Sequence, residues 1–131
     1  MKDNTDLELL TDYAIDVSES ANGLNVLIKH DYYSSDNDNG RRLLNSLLDG
    51  LIMAGDRLFQ LIITDSAVKL IGESDKISEL LQLANTTLIC SESADYYNID
   101  LSYDFPDNVH IVPMTDITDQ IIETRPNFII D

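Results

Sequence analysis

Cys90 is the only cysteine in 131 residues, and it stands between an apolar run, Thr86-Thr87-Leu88-Ile89, and a helix-compatible stretch that starts at Ser91. That placement aims unpaired amide N–H groups and the positive end of a helix dipole at the sulfur, the setting that stabilises a thiolate nucleophile. Glu92 and Asp95 oppose such a charge, and a lone cysteine suits equally the part of a small buried apolar residue. A redox sensor built on the same thiol is a third use. His30, just after the first apolar run, is a candidate general base, with Asp65 and Ser66 beside it in a candidate pocket; a surface or satisfied core histidine is the plainer alternative. His110, inside another apolar run, is expected to pack rather than react. One Cys and two His give no cluster with metal-ligand spacing, and a single Cys excludes an intramolecular disulfide.

Asp36-Asn37-Asp38-Asn39-Gly40 has the composition of a calcium loop, yet with Gly40 at the sixth position Ser35 falls at the first and Ser46 where the bidentate Glu belongs. The same residues serve as a helix cap. Arg41 and Arg42 in the turn that follows oppose the helix dipole, so they are either a solvated pair or a contact for an acidic partner. No GxGxxG, GxxxxGK[ST] or GxSxG occurs, which removes sequence support for dinucleotide, P-loop and nucleophile-elbow chemistry. A phospho-acceptor receiver could use Asp31 or Asp65, but the cluster of acids after the first strand and the Lys near the fifth are missing.

Strands are expected over Leu24–Lys29, Arg57–Thr64, Thr86–Ile89, Val109–Val112 and Asn127–Ile130, each a short apolar run rich in β-branched residues. Between them, apolar residues at 43, 44, 47, 48, 51 and 52 mark one face of a helix opening near Gly40 and stopping at Gly55. Asp65 or Ser66 is expected to cap a short helix through Ile71, and Ser74 or Asp75 one through Leu83. Ser91–Tyr97 forms two turns closed by a left-handed Asn98, and Thr115 or Asp116 caps a helix through Ile122. This alternation predicts an α/β fold, a three-layer α/β/α sandwich with a mostly parallel five-stranded sheet. Its functional edge lies at the carboxyl ends of the strands.

Residues 1–22 form an acidic N-terminal arm whose apolar positions are too sparse to offset ordering alone, followed by one domain over 23–131. Eight Lys and Arg against 24 Asp and Glu give a net charge of −16, which repels nucleic-acid phosphates and anionic lipid surfaces. No apolar run has a membrane span's length, and no signal peptide is expected after Met1-Lys2-Asp3-Asn4, so the expected location is cytoplasmic.

Taken in order, Gly40-Arg41-Arg42-Leu43-Leu44, then Thr64-Asp65-Ser66-Ala67-Val68-Lys69-Leu70-Ile71, then Leu88-Ile89-Cys90 resemble the DsrE/DsrF-like family, which includes the TusC and TusD sulfur-relay subunits. The likeness runs from about residue 24 to 131. It implies a persulfide carried on Cys90, with Ser91 at the supporting helix N-terminus, persulfide donor and acceptor proteins as partners in tRNA thiolation or sulfur oxidation, and no cofactor. It also implies a homo- or hetero-oligomer with related subunits. Where the family commonly has an Arg-Gly pair and an aliphatic residue, this chain has Tyr97-Asn98-Ile99. A non-catalytic assembly or interaction subunit is therefore the alternative.

Overall fold

The computed structural model describes residues 23–131; the expected arm over 1–22 lies outside the described residues. The chain runs β1 (Leu24–Ile28), α1 (Asp38–Ala54), a 3-10 turn (Gly55–Arg57), β2 (Leu58–Ile63), a 3-10 segment (Asp65–Leu70), α2 (Asp75–Leu83), β3 (Thr86–Cys90), α3 (Ser91–Tyr96), β4 (Val109–Val112), α4 (Met114–Thr124) and β5 (Phe128–Ile130). The five strands form one all-parallel sheet in the order β4-β3-β2-β1-β5, as the alternation of strands and helices requires.

Register sorts the side chains into two layers of core. Val26, Leu61, Ile63, Ile89 and Ile130 meet Leu44, Leu48 and Leu51 of α1 and Ile77, Leu80 and Leu81 of α2 on the first face. On the second face Leu27, Ile62, Leu88 and Cys90 meet Ile117 and Ile121 of α4. Burial of each such aliphatic side chain contributes about 1.5–3 kcal/mol, so the first face holds most of the stabilising area.

The second face has a polar lower end. The Thr124 hydroxyl donates to Gln60 Oε1 (2.7 Å), Gln60 Nε2 donates to Gln120 Oε1 (3.3 Å), and Asn25 Nδ2 donates to the Thr124 carbonyl (3.4 Å). Asn127 takes the Asn25 N–H on its Oδ1 (2.9 Å) and gives its Nδ2 to the Gly23 carbonyl (3.0 Å). These bonds fix the exit of α4, where Arg125 is left-handed at φ 51°, and so set β5 beside β1.

Local chemistry explains most element ends. Asn37, not Gly40, opens α1: its Oδ1 accepts the Gly40 N–H (2.9 Å). Gly40 is needed for space, because a Cβ there would run into the Ser35 carbonyl of the returning loop. Ser74 caps α2 through the Ile77 N–H (3.2 Å), and Asn98 is left-handed at φ 55°, both as expected.

Three expectations need correction. The stretch after β2 is a 3-10 segment with no side-chain cap, since Asp65 sits at φ 50° and Ser66 turns its hydroxyl to the Asp31 N–H (3.1 Å). Helix α4 starts at Met114 after Pro113, before Thr115 and Asp116, because an acceptor from α3 serves its first amide. His110 is exposed rather than packed, because β4 is the sheet edge.

Candidate functional site

The carboxyl ends of β1, β2 and β3 deliver His30, Asp65 and Cys90 to one edge, and side chains from α3 tie them together. Cys90 ends β3 and is the N-cap of α3: its Sγ accepts the Ser93 N–H at 3.4 Å. The Ser93 hydroxyl in turn accepts the Asp65 N–H at 2.8 Å, holding the amide of a residue in left-handed backbone. Asp65 Oδ1 accepts from the Tyr97 hydroxyl (3.2 Å), and its Oδ2 lies 3.5 Å from His30 Nδ1. Ser93 thus joins the thiol to the acid, a link absent from any local motif because its members come from two separate βα connections.

His30 sits between two carboxylates, with Nε2 3.6 Å from Asp131 just beyond β5, and its ring stacks on Tyr32 at 4.8 Å. Lys69 Nζ lies 3.7 Å from Asp31 and 5.0 Å from the centroid of the Tyr97 ring. Burial, then the hydrogen bond to Asp65, raises the Tyr97 phenol above its usual 10.0, so it stays a donor through neutral pH. Ser91 is half-buried as the first residue of α3, while Glu92 Oε1 accepts the Met114 N–H at 2.8 Å and so sits at the positive end of α4.

The sulfur itself is closed off. Cys90 is 2% exposed, and its side chain lies with Ile62, Leu88 and Ile117 under α4, on the second face of the sheet. Asp65, Glu92, Ser93, Tyr96 and Tyr97 line an open depression at this edge; Cys90 does not line it. His30, Asp65, Ser66 and Cys90 thus lie at one edge, but Ser66 and Cys90 are buried there and only His30 and Asp65 keep part of their side chains in solvent.

Arg41 and Arg42 stand apart on α1. Arg41 pairs with Asp36 (2.9 Å) and Asp38 (3.4 Å), and the hydrogen bond to Asp36 raises its pKa further; Arg42 bonds Asn39. The charge placed against the dipole of α1 is answered within its own loop. Among the described residues no group of three His, Cys, Asp or Glu could hold a metal, and no helix is long and apolar enough to cross a membrane.

Sequence reasoning missed Ser93, Lys69 and Asp131 at this edge. A signal for Ser93 does exist: a hydroxyl three residues after a strand-ending Cys falls on the first helical turn, where its amide faces the cap. Compared with protein-family models, with curated proteins and with solved structures, the chain matches none.

Proposed function

We propose that this chain is a non-catalytic interaction subunit of DsrE/DsrF-like architecture, acting in the cytoplasm within an oligomer of its own or related subunits. The observation that carries this reading is the burial of Cys90 at 2% exposure beneath Ile117. A nucleophile has to meet its substrate in line, and a sulfur beneath hydrocarbon is inert packing that also caps a helix. Large apolar side chains near the same edge, Tyr96, Ile111 and Met114, are exposed and suit contact with another protein.

A second reading, the persulfide relay, has one feature in its favour: the Ser93 N–H pointed at Cys90 Sγ, a donor that would steady a thiolate or persulfide anion. In that reaction the Cys90 thiolate attacks the outer sulfur of a donor persulfide and forms a new S–S bond. The donor's inner sulfur leaves as its thiolate, and Cys90 holds the –SSH until an acceptor thiolate takes the outer sulfur by the same exchange.

Intact-mass spectrometry after incubating the folded protein with a persulfide donor, with iodoacetamide labelling in parallel, separates the two. An interaction subunit stays at its starting mass and alkylates only on unfolding. A gain of one sulfur on Cys90 in the native protein would establish the relay instead.

A further inference from the structure

On the first face the helix layer stops short of the sheet edge. α1 and α2 cover β1, β2 and β3, but on β5, beyond β1, that cover buries Ile130 and leaves Phe128 only half-buried. The gap is an apolar groove of about 570 Å³ between α1 and the β1–β5 edge, lined by Leu24, Leu43, Leu47, Leu51 and Phe128. Residues 23–131 carry 18 Asp and Glu, yet none of them lines this groove, whereas Arg57 does. The edge strand above it is apolar on both sides, with Ile129 51% exposed on the opposite face. Natural sheets cover such an edge.

We propose that residues 1–22 of the same chain occupy this groove. The segment ends at Asn22, two residues before Leu24, which itself lines the groove. Among its apolar residues, Leu7, Leu10, Ala14 and Val17 recur at the spacing of one helical stripe, which would measure about 15 Å from first to last. The groove follows α1 from Leu43 to Ala54, about 16 Å at the same rise. Residues 18–22 are then the connection, which can reach roughly 17 Å when extended. Six acids and a single Lys suit the segment to a groove whose described lining holds no carboxylate to repel it. A second copy is the weaker occupant, because each chain brings a charge of −16 to the contact. The proposal is independent of the role assigned to Cys90.

Gly50 provides the test. It lines the groove from the exposed side of α1, and a Cβ there meets nothing within 4 Å. Gly50→Glu improves helix propensity and places a carboxylate where the acidic segment would lie; Gly50→Ala gives the same helix gain without the charge. Hydrogen exchange of the full-length chain, read by mass spectrometry, is expected to show residues 7–17 protected in the wild type and in Gly50→Ala. In Gly50→Glu they should exchange about tenfold faster, with β2 and β3 unchanged. Exchange of residues 7–17 at free-peptide rates in the wild type, or protection that Gly50→Glu leaves intact, would overturn the proposal. So would protection of Leu43–Ala54 that falls on dilution alongside dissociation in sedimentation, which would assign the groove to a second copy.

Discussion

Replacing Ile117 by alanine probes the contact on which the closure of Cys90 depends. Ile117 is the one fully buried side chain of α4 and packs in the second-face cluster with Ile62, Leu88 and Cys90. Losing three carbons there costs about 3 kcal/mol, transfer and cavity terms together. In a domain of this size about 1 kcal/mol moves the melting temperature by roughly 3–5 °C, so the melt should fall by about 10 °C. Thiol labelling of the native protein tells more. If the sulfur is reached when α4 lifts from the sheet, the same energy enters the opening equilibrium, and at about 1.4 kcal/mol per decade the labelling rate rises roughly a hundredfold. Leu80→Ala is the comparison, because Leu80 is equally buried on the first face and touches neither α4 nor the thiol cluster. It should lower the melt by a similar amount and change the labelling rate far less. Equal acceleration by the two substitutions would refute opening through α4. Wild-type labelling at the rate of free cysteine would refute the burial argument itself.

Cys90→Ala removes the acceptor of the Ser93 N–H and a little volume; an expected loss of about 1–2 kcal/mol, read by urea denaturation, makes the sulfur a cap and filler. At Asn98, held at φ 55°, alanine should cost about 1 kcal/mol and glycine should be neutral or stabilising by a few tenths; a harmless alanine would contradict the left-handed exit of α3. Tyr97 has a folded pKa above its unfolded one, so its contribution to stability is full below pH 10 and is lost as the pH rises through the folded value. The ultraviolet titration of the wild type minus that of Tyr97→Phe should accordingly have its midpoint above 10.0; a midpoint at or below that value would contradict the burial and the Asp65 hydrogen bond of this phenol.

All five strands were legible as apolar runs because burial on both faces of a parallel sheet leaves little room for polar residues; among the buried polar ones, Gln60 and Asn25 build the polar end under α4. Local signals were also enough for Ser74 and Asn98, whose roles depend on atoms three or four residues away. The stretch after β2 was misread as a capped helix because its geometry is set from outside: Ser93, 28 residues on, holds the Asp65 amide, and Ser66 is drawn to Asp31. The start of α4 was misplaced for the same reason, its first amide being taken by Glu92 of another helix. The nearness of His30 to Asp65 was legible because strand ends converge in this topology, whereas the state of Cys90 was not, since it depends on where α4 comes to rest.

That resting place follows from connectivity. The chain steps from β1 to β2, β3 and β4 in one direction, so crossovers of a single hand keep α1, the 3-10 segment, α2 and α3 on one face. The last step runs backwards across the whole sheet, from β4 past three strands to the far side of β1, and the same hand then sends α4 to the opposite face. A helix making that return has to pass over the carboxyl half of β3, where the pleat turns Leu88 and Cys90 toward it and Ile89 away. The residue after Ile89 therefore lies beneath the return helix while its backbone opens α3 on the other side. One position serves both as cap and as core, and a thiol, small, apolar and a weak acceptor, meets both demands. Serine would cap α3 better but would bring a hydroxyl under Ile117, and alanine would pack but leave the Ser93 amide without its acceptor. On this argument cysteine is accounted for at position 90 without any chemistry of its sulfur.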